Sequence, residues 1–363
     1  MPPASRLILL AVFAAALAAA FWRAPKAAAT AFSPPPEAAK SELPSLYASE
    51  LLTQPANLAG RPSLAELPDG RIAAAWLTEG EDGPIIRFSV RERGGWRPST
   101  AIADRAGTAG GAFAYVGEIG PPVLYAEGSW LHLWYASRTL GGSINHSLST
   151  DGGRNWSRPS RLQTSPWANF GGGVRAAPVP LADGGLGLVI GHGFAGRHGE
   201  WLRLAATGGI VDKLRLPATS VTAQPAMAVL DAHSALAVQP DAEGRLRPLT
   251  SVDDGRHWLA GEALTGPDAK APLALLRLRS GRLLLAGNRS DGRPGVGLWL
   301  SADRGKTWVS ALGIAPPAER AAYFANPALL LGRDGLIHLA CDRRRQGIVH
   351  VVFSEAWLDG ATP

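Results

Sequence analysis

Three stretches of this chain, Ser149-Thr150-Asp151-Gly152-Gly153-Arg154-Asn155-Trp156, Ser251-Val252-Asp253-Asp254-Gly255-Arg256-His257-Trp258 and Ser301-Ala302-Asp303-Arg304-Gly305-Lys306-Thr307-Trp308, read Ser-x-Asp-x-Gly-x-x-Trp. A worn copy, Ser89 to Trp96, keeps Ser and Trp at the same separation but carries Arg91 in place of Asp. Copies returning at a period of about fifty residues mark a repeat architecture. The motif has a structural logic of its own. Asp and Ser side chains bond nearby backbone N–H groups and fix a tight turn, while Gly supplies a positive φ. The Trp can then fold back as an apolar plug between neighbouring sheets. Asp151, Asp253 and Asp303 are therefore expected to staple hairpins, not to form a row of catalytic carboxylates. Ser149, Gly153, Trp156, Ser251, Gly255, Trp258, Ser301, Gly305 and Trp308 complete the staples.

A second period is independent of the first. Apolar strands are expected to begin at Pro62, Pro122, Pro178, Pro225, Pro272 and Pro327, at intervals of roughly 47 to 60 residues. Pro is acceptable at the first residue of a strand, where no ladder donor is needed. Each strand runs into a turn such as Pro68-Asp69-Gly70, Asp183-Gly184, Ser280-Gly281 or Asp334-Gly335, and a further apolar strand follows. Apolar runs joined in this way read as hairpins. Six such units over about 310 residues predict one all-β domain of six four-stranded blades, a β-propeller. The 43 Gly, 29 Pro and 12 Trp suit a turn-rich ring with aromatic plugs, and no apolar stripe at helical spacing follows the amino terminus.

The amino terminus stands apart. Arg6 precedes an apolar run from Leu7 to Trp22, short for a membrane span and suited to a signal-peptide core. Ala27-Ala28-Ala29 and Ala29-Thr30-Ala31 are candidate cleavage sites, but Arg23 and Lys26 keep an uncleaved anchor open. Either reading predicts export, to a periplasmic or extracellular space or to an anchored position there. The chain thus divides into residues 1–31, signal peptide or anchor; 32–45, an Ala/Pro-rich linker with little to fold around; 46–358, the propeller; and 359–363, a tail. Because the final blade lacks a box, Leu46 to Leu52 is expected to supply its outer strand and close the ring.

Other chemistries find little support. Cys341 is the only cysteine, so no internal disulfide forms, and its apolar strand reads as core. The net charge of +6 rests on 31 Arg against 5 Lys, scattered without a basic stripe interleaved with aromatics, which argues against nucleic acid. The eight His are dispersed, and the nearest pair, His192 and His198, lacks a metal-ligand spacing. No phosphate-cradling glycine loop or nucleophile elbow appears. No cofactor and no metal are expected, and the domain is expected to be a monomer that meets the membrane only through an uncleaved amino terminus.

The repeats, known as Asp-boxes, together with the run from Asn326-Pro327-Ala328 through Asp334-Gly335-Leu336-Ile337-His338 to Arg345-Gln346-Gly347-Ile348-Val349-His350, resemble the sialidase superfamily of six-bladed propellers with BNR repeats. The similarity covers Leu46 to Leu358. It implies hydrolysis of terminal sialic acids with retention: three Arg clamp the sugar carboxylate, a Tyr activated by a Glu is the nucleophile, and an Asp is the acid/base. A guanidinium fork matches a carboxylate bidentately, as an ammonium does not, and a neutral phenol avoids repelling an anionic sugar.

Carried over residue by residue, the resemblance places Arg61, before Pro62, at the first Arg of the clamp, and Arg293, with Arg289 as second choice, at the Arg of the fifth blade. The positions of the Glu and its partner Arg hold Gln224 and Gln239. The Tyr position falls on Asn326, with Tyr323 three residues upstream. Glu79, Glu81 and Asp82 are the weak acid/base candidates, and Arg343 joins the substrate-binding candidates at the head of Arg343-Arg344-Arg345. Amides bond sugar hydroxyls but neither deprotonate a phenol nor form a glycosyl intermediate. The expectation is an exported propeller that recognises an acidic or sialic-acid-like glycan without efficient sialidase hydrolysis. An active exo-sialidase or other glycoside hydrolase or lyase, and a protein-interaction propeller, remain open alternatives.

Overall fold

The computed structural model describes residues 8, 10–15, 30–34, 43–53, 60–112, 115–138, 142–164, 171–192, 198–217, 225–291, 295–314, 324–343 and 347–360. Six antiparallel sheets follow one another along the chain and form the blades of a propeller. Inner strands are Gly60–Glu66, Glu118–Glu127, Gly171–Val174, Ala226–Val229, Leu273–Arg277 and Phe324–Leu331 for blades 1 to 6. The second strands, among them Ile72–Thr78, Leu283–Asn288 and Ile337–Arg343, are buried for most of their length, because each lies inside a sheet sandwiched between two others. Core clusters join adjacent blades; one unites Leu284, Leu298 and Leu300 of blade 5 with Phe324, Leu339 and Phe353 of blade 6.

The three intact boxes are built alike. Ser149, Ser251 and Ser301 end third strands; each hydroxyl bonds the carboxylate two residues on at 2.8–3.0 Å and accepts from the Gly four residues on at 2.8–3.0 Å. The same carboxylates accept the backbone N–H of Asn155, His257 and Thr307, and Trp156, Trp258 and Trp308 donate Nε1 to their own box Gly carbonyl at 3.0–3.1 Å. Each box leans on the preceding blade. A Cβ at Gly153 would stand 2.3 Å from Phe88, one at Gly255 2.8 Å from Trp201 Nε1, and one at Gly305 2.5 Å from Leu236. Gly is required twice over, by a positive φ of 78–89° and by this contact.

Pro178, Pro225 and Pro272 directly precede strands that start at Val179, Ala226 and Leu273, as expected, but the other three prolines sit differently. The inner strand of blade 1 starts at Gly60 and that of blade 6 at Phe324, so Pro62 and Pro327 lie inside their strands, where the register slips between Gly60 and Ser63 and between Ala325 and Ala328. A bulge leaves a residue without a ladder partner, so the missing N–H of Pro costs nothing there. Blade 2 slips likewise just before Pro122.

Ring closure follows the sequence expectation. Tyr47–Leu51 pairs antiparallel with Gly347–Phe353, from Tyr47 opposite Phe353 to Leu51 opposite Val349, and becomes the outer strand of blade 6. Here the worn box finds its use. Arg91, standing where the other copies have Asp, pairs with Glu50 of the closing strand at 2.6 Å, and Trp96 Nε1 donates to the same carboxylate at 3.1 Å. His350 Nδ1 also lies 2.8 Å from it.

The expected featureless linker needs correction. Ala31 to Ser33 is bonded to blade 3 through Ala182 and Pro180 and to blade 4 through Ala232, and Phe32 is 1% exposed, edge-on to Trp201. One large aromatic in an otherwise Ala/Pro-rich stretch is enough to anchor it. Of the apolar amino-terminal run, residues 8 and 10–15 are described and are helical and exposed.

Candidate functional site

The ends of the second strands and the beginnings of the inner strands share one face of the ring. The boxes occupy the other, since Ser149, Ser251 and Ser301 pair with the starts of second strands, at Leu131, Ala235 and Leu283. The site-bearing face is therefore the one reached by Asp342, Asn288 and Gln239, near the ends of the second strands of blades 6, 5 and 4.

Arg61 and Asn326 converge there by the same local device. Each directly precedes the bulge Pro of its strand, and each has a left-handed backbone, with φ of 57° and 52°. Few residues other than Gly adopt this conformation, and it persists where the surroundings enforce it, often at functional sites. The enforcing group is Asp342. Its Oδ1 accepts the Arg61 backbone N–H at 2.6 Å and its Oδ2 the Asn326 amide at 2.5 Å. A Cβ at Gly60 would stand 2.9 Å from Asp342 Oδ2, so only Gly lets the strand come this close. Asn288 Nδ2 steadies the entry by donating to the Phe324 carbonyl at 3.0 Å.

A fourth member comes from blade 3. Arg175, one residue past its first inner-strand segment, donates Nη2 to Asn326 Oδ1 at 3.0 Å. Desolvation lowers the Arg175 pKa to about 10; the nearby positive charge of Arg61 adds to that, while Asp342 opposes it. Burial pushes the Asp342 carboxyl up to about 6, against the lowering effects of the Asn326 and Arg61 hydrogen bonds and the Arg175 and Arg61 charges. The cluster is thus two guanidinium groups and one carboxyl, cross-linked by an amide, with Arg61 exposed to solvent. An array with more cation than anion can hold an anionic group.

The remaining candidates are placed differently. Gln239 is 1% exposed and gives its Nε2 to the Pro217 carbonyl at 2.7 Å, a bond that secures backbone. Arg289 is paired with Asp291 at 3.0 Å and bonds Ser310 of its own blade's outer strand. Arg343 follows Asp342 at the strand end, and strand alternation puts neighbouring side chains on opposite sheet faces. Glu79, Glu81 and Asp82 are exposed, in the hairpin between the second and third strands of blade 1. Gln224, Arg293 and Tyr323, with Arg344 and Arg345, lie outside the described residues. Arg175 and Asp342 were missed by sequence reasoning. Asp342 had a legible signal, as the polar end of an otherwise apolar strand; Arg175, in a Gly/Ala/Pro context, had none.

Comparison with known proteins fits this architecture. The family profile described as BNR repeat-like domain matches residues 70–339. No curated protein sequence gives a significant match. Among solved structures, the Hadza microbial sialidase Hz136 has a TM-score of 0.64 at 16% identity, over 81% of this chain and 65% of that one. The NanB sialidase of Streptococcus pneumoniae has a TM-score of 0.65 at 11% identity, covering 85% and 71%. A protein of unknown function from Dyadobacter fermentans DSM 18053 has a TM-score of 0.62 at 13% identity, covering 84% of this chain and 97% of its own. Identities this low establish a shared fold alone.

Proposed function

The chain belongs to the BNR repeat-like domain family and has the six-bladed propeller of the sialidase superfamily; from that premise we propose that it is an exported protein that binds an acidic, sialic-acid-like glycan without efficient sialidase hydrolysis. The supporting observation is the juxtaposition of Arg61 and Arg175. Desolvation first, and then the Arg61 charge, depress the Arg175 pKa, so the two cations are costly to hold together. The single buried carboxyl of Asp342 offsets part of that cost, and a bound carboxylate would offset the rest. Arg61 offers its fork to the ligand, Arg175 holds Asn326, and Asn326 offers amide hydrogen bonds where a sialidase places its phenol. An amide has no nucleophilic oxygen able to form and release a glycosyl intermediate, so binding is separated from cleavage.

The test is calorimetry of sialyllactose with the purified protein, alongside a fluorogenic sialoside assay. Arg61→Ala is expected to weaken binding by about 1.5–3 kcal/mol, the worth of a hydrogen bond to a charged group, with fluorogenic turnover at background for every variant. Equal binding by wild type and Arg61→Ala would transfer the protein to the interaction class. Robust release of sialic acid would restore the enzyme.

A further inference from the structure

Blade 3 carries a group of side chains that the sugar site does not use. Its second strand, Leu186–His192, and third strand, His198–Leu204, are paired so that His192 stands directly opposite His198, with Glu200 two residues further along. The imidazoles stack with centroids 4.5 Å apart and 18° between planes. His192 Nδ1 and His198 Nε2 each lie 3.3 Å from Glu200 Oε1, and the three ligand atoms fall within 4.8 Å of one another. Glu200 is 6% exposed and both imidazoles are largely covered. Lys213 Nζ, on a half-exposed side chain, is 3.9 Å from the carboxylate, too far for a hydrogen bond.

We propose that His192, His198 and Glu200 form a binding site for a divalent transition-metal cation of the zinc class. The donor set, two imidazole nitrogens and a carboxylate, is the one zinc takes in sites that keep a fourth position for water or a ligand. The two imidazole-to-carboxylate spacings fit, and the stacked rings would turn about χ2 to aim both lone pairs at one ion. A tetrahedral ion about 2.0–2.1 Å from each ligand atom separates those atoms by about 3.3–3.4 Å. Both nitrogen-to-oxygen separations have this length. A hard cation of the calcium class is disfavoured, because it takes six or more oxygen ligands. The sequence concealed the site, since the two His, with five residues between them, are accompanied by no Cys or further His. The hairpin removes that distance by making them cross-strand partners.

The location gives the cation a role. His192 ends the second strand of blade 3, so the site lies on the same face of the ring as Asp342. Gly199, between His198 and Glu200, packs against Gln239 of blade 4, whose Oε1 would be 2.7 Å from a Cβ there. A bound ion would fasten this end of the hairpin where it meets the next blade.

The experiment uses the full chain, stripped with chelator and then titrated with Zn2+ by competition against a chromophoric chelator, and separately with Co2+ as a spectroscopic probe. The expected result is stoichiometric zinc retained through gel filtration and intense visible d–d bands of tetrahedral Co2+. Glu200→Gln and His198→Gln should each weaken zinc binding at least about tenfold and bleach the cobalt bands. Far-UV circular dichroism reports the fold of each variant, and Glu200→Gln, nearly isosteric, remains readable if the His variant misfolds. Substoichiometric zinc in the wild type, or an unchanged affinity in Glu200→Gln, overturns the proposal.

Discussion

Two residues before prolines, Arg61 and Asn326, share one uncommon backbone conformation and one acceptor, and that shared acceptor makes Asp342 the hinge of the site. Because burial holds its carboxyl near 6, Asp342 changes charge within the range of ordinary buffers. The sign follows directly. As pH falls through 6 the carboxylate takes up a proton, one negative charge leaves the neighbourhood of Arg61 and Arg175, and the net field becomes more positive. Binding of an acidic sugar that stays ionised is therefore expected to tighten severalfold between pH 7 and pH 5. Asp342→Asn should bind at pH 7 as the wild type does at pH 5 and should flatten the profile. Calorimetry across that range is the check, and tighter binding at pH 7 would show that the carboxylate helps the ligand. The sequence disclosed this site unevenly. Arg61 and Asn326 were legible because each precedes a strand Pro in a repeated frame. Arg175 was not, because it comes from a blade without a box, and which guanidinium groups meet at a channel mouth is decided by ring closure rather than by local pattern. Gln239 shows the converse: it stands near the expected strand end, yet its amide faces backbone, since a buried polar group must be satisfied by whatever lies closest.

Among the elements, the box is the unit most completely readable from sequence, for the side-chain hydrogen bonds of its Ser, Asp and Trp fall within eight residues. What the sequence does not disclose is that the box Gly also forms part of an interface with the preceding blade. The two roles differ in their consequences. Replacing Asp303 by Asn keeps the shape and some of the bonds to Ser301 and Thr307, and is expected to cost about 1–2 kcal/mol. Gly305→Ala must adopt a φ of 89° and place a methyl 2.5 Å from Leu236, so it should cost more, about 2–4 kcal/mol. Chemical denaturation of the two variants measures the order; a smaller loss for Gly305→Ala would mean that blade 4 yields at Leu236 and that the interface is soft. The bulge prolines escaped local reading for a related reason. Pro marks a place without a ladder bond, but a strand start and a bulge both satisfy that condition, and only the neighbouring strand's register separates them.

At the scale of the whole ring, a propeller is held by its seam, and here the seam is made by residues far apart in the chain. Tyr47–Leu51 covers the edge of blade 6, the hydroxyl of Ser354 is bonded by Leu46 and by the Pro44 carbonyl, and Tyr47 stacks on Trp357 at 4.8 Å. Glu50 then ties this strand to blade 1. Burial alone would raise its pKa, but hydrogen bonds from His350 and Arg91 bring it to about 2, below the ordinary 4.5. A depressed carboxyl contributes stability that is present above pH 4.5 and fades as pH falls toward 2. Partly exposed and screened, the group is worth about 1–2 kcal/mol, so Glu50→Gln should lower the melting point at pH 7 and lose less than the wild type on acidification. Truncation separates the two amino-terminal anchors. Removing residues 1–34 takes away Phe32, whose burial is worth about 1.5–3 kcal/mol, together with the backbone bonds of Ala31 to Ser33, and should leave a cooperative but less stable ring. Removing residues 1–53 takes the closing strand as well, exposes the edge of Gly347–Phe353 and deprives Arg91, Trp96 and His350 of their common acceptor. That protein is expected to show no cooperative thermal transition and to aggregate through the open edge. If it melted as the 1–34 truncation does, the ring would be closed by packing between blades 1 and 6, and the strand would be an accessory to it.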